Sequence, residues 1–466
     1  MSAATRSMSS ATLLEAHEPL ASRMARSAVA TSLDDLPGEV IDKTRLCLLD
    51  LIGCAFESRD LPWSRQAVGI AQPAIEGQGA AVIGSPQLAG FGDAAFANAV
   101  MGHGLVREDM HSGSISHLGI VVLPALLALA QYRRVSGREF ITAAAVGYEV
   151  GGQVGRAVMD AEVARIHRPT GVTGPVAAAA AGARLLALSV EETTSAIALG
   201  ANTTLGFNQW AHTGGSEMFF HAGFAARNAV AAVRLAESGA FASPSALDGE
   251  AGLFASLKKR STASRVELFR TAPEMLSVYH KPVPACNFAQ TACQAALRIV
   301  RDQRVAPDSI AAIKVRVPRA GALYPGCDYT GPFAHILQAK MSIQYNVAAA
   351  LILGGVSEKN FTLLNDPLLH RLIGMMKLEV DDEMTRAYPG LQGGAVEVTE
   401  TGGAVRRMRL ENVVHATPED VRARFRLAAA GVVGAGRAGQ IERFIDTLDR
   451  NEDVGALGAL LQTGNA

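Results

Sequence analysis

The segment His103-Gly-Leu-Val-Arg-Glu-Asp-Met-His111-Ser-Gly-Ser-Ile-Ser-His117 holds three imidazoles and the adjacent carboxylates of Glu108 and Asp109. Imidazoles titrate near neutrality, at about 6.5, and are the side chains best suited to moving protons at physiological pH. The segment lies between two apolar, Ala-rich runs, 91–101 and 118–131. Runs of that length are normally buried. Titratable groups crowded between them must be paired, held in a solvated cleft or used for chemistry. The segment therefore reads as a proton-transfer site with His111 and His117 as carriers; the alternative is a polar loop capping two core helices. The histidines with Glu108 or Asp109 are also the right types to ligate a metal. Ser112, Gly113 and Ser114 favour a loop, the spacing matches no established ligand pattern, and no metal is expected.

Three further groups carry charge or nucleophilic atoms. Arg165-Ile-His167-Arg168-Pro-Thr-Gly-Val-Thr-Gly174 sets a His/Arg pair before a Gly-flanked turn that opens an Ala-rich helix. Free backbone N–H groups at a helix start favour an anion, and Arg168 could clamp a carboxylate. Tyr279-His-Lys281-Pro-Val-Pro-Ala-Cys286-Asn287 places a lysine beside two stiffening prolines. That lysine could bind a carboxylate or, desolvated, act as a base. Ser216 to Arg227 places His221 near the head of an apolar helix, where a core or capping role is the simpler reading. No Gly-x-Gly-x-x-Gly follows a strand, and neither Gly-Lys-Ser/Thr nor Gly-x-Ser-x-Gly occurs, so nucleotide cofactors and serine-hydrolase chemistry are unsupported.

The elements that position these groups change character along the chain. Residues 32–272 read as helical, with long Ala-rich apolar stretches at 140–159, 174–186, 190–199 and 220–235, and Ala and Gly at this density imply closely packed helices. Near Tyr279 the pattern changes. Residues 310–318 alternate as a half-buried strand, 394–400 and 404–410 flank the hairpin turn Thr401-Gly402-Gly403, and 290–300 and 338–353 look helical. After Thr417, an N-cap followed by Pro418, the chain reads as helical through Leu461. The expected organisation is mainly α. A flexible tail (1–18) precedes a helical bundle (19–278), an inserted α+β domain (279–416) and a segment returning to the bundle (417–466). Clefts between such units are where small ligands usually bind.

Composition narrows the partners. Of 466 residues, 49% are hydrophobic and 19% charged, which suits a chain with a large buried fraction. The net charge of −1 leaves no basic excess for nucleic acid. The most apolar run, 118–130, contains Pro124 and is too short to span a membrane. The five cysteines form no Cys-x-x-Cys pair, which fits reduced thiols in a cytoplasmic protein. Cys47 and Cys54 are seven apart, as are Cys286 and Cys293, a spacing that would put each pair on one helix face.

Taken in order, these segments resemble the MmgE/PrpD family. The resemblance rests on Asp93-Ala-Ala-Phe-Ala-Asn-Ala, His103 through His117 followed by Val121-Val-Leu-Pro-Ala125, and His167-Arg-Pro-Thr-Gly. It continues through His221-Ala-Gly-Phe-Ala-Ala-Arg, Lys281-Pro-Val-Pro-Ala-Cys and Ala339-Lys340-Met-Ser-Ile-Gln-Tyr. It implies a helical domain interrupted by a smaller α+β domain, a homodimer, a site at the domain interface, and no metal or organic cofactor. It implies a lyase of a small carboxylic acid that moves a proton next to a carboxylate. Dehydration is the expected outcome. Epimerisation or decarboxylation within the family is the alternative, and a non-catalytic carboxylate-binding protein the second. His117, Lys281 and His111 are the expected catalytic groups, with His117 and Lys281 facing one another across a crevice. His103, Glu108, Asp109, Arg168, His167, His221, Cys286 and Lys340 are the expected substrate-binding groups. Val106 and Met218 stand where many members carry an acid and a cation, which implies a substrate with fewer carboxylates or a more apolar one, and Cys286 stands where the decarboxylase branch carries an imidazole.

Overall fold

A computed structural model describes residues 18–75, 78–204 and 206–464. The expected tail lies outside the described residues except for Glu18. The fold is mainly helical with a small sheet region. Helices α1 (Glu39–Ser58), α2 (Phe91–His103), α3 (Gly119–Tyr132), α4 (Gly137–Val158), α5 (Pro169–Leu185), α6 (Val190–Ala201) and α7 (Glu217–Glu237) build the first core. Their starts follow from local chemistry. Ser136 and Ser189 form reciprocal caps with Glu139 and Glu192, and Pro169 occupies the first turn of α5. Small residues then set the spacing. A Cβ on Gly147 of α4 would stand 2.8 Å from Val122 of α3 and 2.9 Å from Ala181 of α5, so glycine is what allows this approach. Among the described residues no helix is long and apolar enough to cross a membrane.

A two-residue antiparallel ladder joins β1 (Asp109–Met110) to β2 (Tyr279–His280), with Asp109 opposite His280 and Met110 opposite Tyr279. Beyond it a second core forms. Helices α8 (Gln290–Gln303), α9 (Ile336–Met341) and α10 (Ile343–Leu353) accompany a four-stranded sheet. Its strands are β3 (Ile310–Val317), β4 (Met376–Val380), β5 (Gly394–Glu400) and β6 (Val405–Leu410), in the spatial order β4-β3-β5-β6. The pair β3–β4 is parallel and the others antiparallel. Ile313, Val315 and Val317 of β3 are buried, as their alternation requires. Helices α11 (Pro418–Val433) and α12 (Ala435–Asp446) bring the chain back, and Phe425, Ile441, Ile445 and Leu448 pack into the first core.

The structure corrects several expectations. Helix α5 begins at Pro169 with Arg168 as its N-cap, so the Gly-flanked turn expected before residue 174 is helical. Residues 338–353 are two helices, because Ser342 is extended and its hydroxyl accepts from the Tyr345 amide as an N-cap. Strand β4 adds to the elements expected from the sequence, and its Met376, Leu378 and Val380 alternate with Lys377 and Glu379. Cys286 precedes α8 and so shares no helix face with Cys293, while Cys47 and Cys54 both sit buried on α1.

Candidate active site

Backbone pairing decides which distant residues meet. Helix α2 delivers His103 at its last turn, and the chain then bends through Leu105 and Val106 into β1. The ladder with β2 carries Lys281 to that bend. Its ammonium donates to the Val106 carbonyl and, at 3.3 Å, to that of Ala285. Lys340 of α9 repeats the arrangement: its ammonium reaches the carbonyls of Leu105 and Pro284, each at 3.1 Å, and Glu358 at 2.6 Å. Two buried cations thus hold residues 105–106 against residues 284–285.

Glu108 is the hub of the polar cluster. One carboxylate oxygen, Oε1, meets His103 Nδ1 at 2.6 Å and His117 Nδ1 at 2.7 Å. His117 Nδ1 also lies 3.2 Å from the Asp109 carbonyl oxygen. Acceptors at Nδ1 assign the ring proton there in both histidines. His103 Nε2 then accepts from Arg168 Nη2 at 3.1 Å. His117 Nε2 has no partner among the described residues, and its ring forms part of a cavity wall. The protein therefore presents a neutral imidazole lone pair backed by a carboxylate. Burial, with Lys281 nearby, pushes His117 down to about 3, so it is uncharged at neutral pH. Burial would raise Glu108, but His103, His117 and Lys281 outweigh it and hold the carboxyl well below its ordinary range. Burial also lowers Lys281.

The cavity has a volume of about 20 Å³, room for about one water. Val106, Met110, Ile115, Met218, Phe288 and Met341 supply its apolar wall, and His117, Arg168, Cys286, Asn287 and Tyr324 its polar one. Arg168 donates to Tyr324 Oη at 3.1 Å, while its Nε is buried without a partner. Val106 and Ile115 adopt φ of 57° and 52°. A β-branched residue in that region stores about 1–3 kcal/mol of strain, and such strain clusters at functional sites.

The other expected residues are placed as follows. His111 stands outside the cluster: its ring bonds Ser114 Oγ at 2.7 Å through Nδ1 and Glu274 at 2.7 Å through Nε2. The Asp109 carboxylate points into the helical core, where Tyr148 Oη donates to it at 2.7 Å, and burial raises its pKa to about 6. His167 faces an outer pocket with Glu162 and Lys258. His221 is buried, its Nδ1 unpartnered, and burial together with Arg168 and His103 lowers it to about 4. Lys281 and Lys340 sit behind the wall rather than on it, so the expected crevice with His117 opposite Lys281 is not formed. Sequence reasoning missed Tyr324, Asn287, Phe288, Met110, Ile115 and Met341. Met110 and Ile115 lie within the His103–His117 segment, Asn287 ends the Tyr279–Asn287 segment and Met341 follows Lys340, but only the folded chain shows that these side chains, with Phe288 and Tyr324, line the cavity.

The three His103, Glu108 and His117 ligand atoms lie within 4.8 Å of one another, which is metal-ligand spacing. Here they are bonded to each other, so an ion would have to displace both Nδ1 protons. Residues 22–265 match the MmgE/PrpD N-terminal domain and residues 283–450 the MmgE/PrpD C-terminal domain. The chain is similar to a cis-aconitate decarboxylase-like protein of Aspergillus oryzae, with 28% identity over 92% of this chain and 94% of that protein. A cis-aconitate decarboxylase of Aspergillus terreus is 32% identical over 47% of this chain and 46% of its own. A cis-aconitate decarboxylase of Mus musculus is 24% identical over 79% and 78%.

Proposed function

The chain belongs to the MmgE/PrpD family, and on that premise we propose that it is a lyase of a small carboxylic acid, acting by proton removal next to the carboxylate, with dehydration as the outcome. The observation that carries this reading is the uncommitted Nε2 of a neutral His117, backed at 2.7 Å by Glu108 and set on a cavity wall with Arg168. Arg168 and Tyr324 hold the carboxylate. His117 Nε2 takes the adjacent proton, and the enolate-like charge develops against the Arg168 guanidinium and the Lys281 field. The imidazolium is stabilised by Glu108 and returns its proton to the departing hydroxyl on the neighbouring carbon. The C–O bond breaks, a C=C bond forms, and water leaves. His111 is not needed, because its two nitrogens are already bonded.

The apolar wall fits a substrate with one clamped carboxylate and an apolar remainder. A cavity of about 20 Å³ cannot hold several carbons, so entry requires the wall to open. The unbranched side chains of Met110, Met218 and Met341 make that displacement inexpensive. This reading places the protein in a reducing, cytoplasmic setting, in keeping with five free thiols, and as the homodimer that the family resemblance implies.

Decarboxylation is the second reading, favoured by the names of the relatives. It would require a protonated His117 as acid, against the lowering of its pKa by burial. A panel of small hydroxy-acids and unsaturated acids in deuterated water distinguishes these. Deuterium entering next to the carboxylate with loss of water supports dehydration. Release of carbon dioxide supports decarboxylation. Thermal stabilisation by an acid without exchange or turnover supports a binding protein. His117→Gln should abolish turnover with helical circular dichroism unchanged; retained turnover removes His117 from the mechanism.

A further inference from the structure

The cavity wall carries a second chemically capable group that proton transfer does not use. Cys286 Sγ lies 3.5 Å from Cys327 Sγ, and both thiols are free and buried. Cys286 forms part of the same wall as Arg168 and His117, while Cys327 lies behind it with no exposure. Cys286 caps the 3-10 turn Asn287–Ala289 that leads into α8. The Lys281 ammonium is 3.3 Å from the carbonyl of the preceding residue, Ala285.

We propose that Cys286 is a peroxide-reactive thiol on the cavity wall and that Cys327 is its resolving partner, the two closing reversibly to a disulfide. Hydrogen peroxide is barely larger than the one water the cavity admits. The Cys286 sulfur attacks one peroxide oxygen: an S–O bond forms, the O–O bond breaks, and the departing hydroxide is protonated to water. Sulfur gives up two electrons and peroxide takes them. Cys327 then loses its proton and attacks the Cys286 sulfur. The S–S bond forms, the S–O bond breaks, and the second hydroxide leaves with that proton as water.

The electrostatics separate attacker from resolver. Burial alone would raise Cys286. Hydrogen bonds from the Cys327 thiol and the Phe288 amide, with the Lys281 and Arg168 cations, reverse this and leave the thiol below its ordinary value. Burial and the neighbouring Cys286 push Cys327 up. Burial likewise raises Cys47, Cys54 and Cys293, which serve as internal controls. Bonding draws the sulfurs from 3.5 Å to about 2.05 Å and shifts the wall at Cys286 and its neighbours Asn287 and Phe288.

The test treats the folded full-length protein with hydrogen peroxide and quenches with catalase. Remaining thiols are blocked with N-ethylmaleimide under denaturing conditions and mapped by mass spectrometry without reductant. The expected result is a Cys286–Cys327 cross-linked peptide that dithiothreitol removes, with Cys47, Cys54 and Cys293 carrying maleimide. In Cys327→Ser the oxidation should stop at Cys286 and proceed to its sulfinic acid. In Cys286→Ser, Cys327 should stay unoxidised. Maleimide on both cysteines after peroxide, oxidation of Cys327 in Cys286→Ser, or an unoxidised Cys286 in Cys327→Ser would overturn the assignment.

Discussion

Glu108→Gln tests the proton-transfer reading most directly, because a single oxygen of Glu108 holds both His103 and His117. When His117 takes a proton, an imidazolium forms 2.7 Å from that oxygen in a fully buried setting. At an effective dielectric of about 20, unit charges at this distance attract by about 6 kcal/mol. The amide keeps the shape and an acceptor dipole but loses the charge, so we expect about 3–6 kcal/mol of that stabilisation to disappear. At about 1.36 kcal/mol per tenfold, kcat should fall by about 10²–10⁴. KM should move little, since Glu108 does not line the cavity. The assay follows deuterium incorporation and product formation by NMR over a range of substrate concentrations, with circular dichroism as the folding control. A folded Glu108→Gln variant with kcat within about threefold of wild type, or with a raised KM and unchanged kcat, would refute the relay through Glu108.

Further outcomes follow from the same geometry. His117 is lowered to about 3 by burial and Lys281, and a base is lost only when pH falls through its pKa. The kcat/KM profile should therefore stay flat between about pH 5 and 7, and an acid limb near the ordinary imidazole value of about 6.5 would contradict the neutral-base assignment. Arg168→Lys keeps the charge but loses the planar fork, so KM for the acid should rise about tenfold or more, and an unchanged KM would move the carboxylate elsewhere. Gly119→Ala would set a Cβ 2.4 Å from Tyr148 Oη and 2.5 Å from Asp109 Oδ1. A thermal melt should record a loss of about 1–3 kcal/mol, and an unchanged Tm would mean that this buried pair yields easily. The Glu108 carboxyl is held low in the fold, so its contribution is complete above the unfolded value of about 4.3 and is lost as pH falls below it. Glu108→Gln should flatten that part of the acid-stability curve measured by urea denaturation.

Much of the architecture was legible in the linear chain, because helices and hairpins are local. Ala-rich apolar stretches, the Thr417-Pro418 start, the alternation of 310–317 and the Thr401-Gly402-Gly403 turn are set by neighbours in sequence, and each has its counterpart in the structure. The crowding of His103, Glu108 and His117 could also be read, since all three lie in one short segment between buried helices. What the chain could not disclose is direction. His111 and Asp109 have the same types and neighbourhood as His117 and Glu108. A turn through Ser112–Ser114 aims the His111 ring at Glu274, and the ladder to β2 leaves the Asp109 carboxylate beside Tyr148. Lys281 stands out in the chain for its charge, yet only tertiary contact shows that its ammonium is bonded to the Val106 and Ala285 carbonyls behind the wall. Tyr324 and Cys327 carry no local signal; they matter because α9, α10 and the turn before them fold back onto Arg168 and Cys286. Side-chain type and near neighbours alone set which residues could do chemistry and which segments are helix or strand, so both can be read along the chain. Which of those residues share a cavity follows instead from burial and from bonds between segments far apart in sequence, such as Lys281 with Val106 and Arg168 with Tyr324.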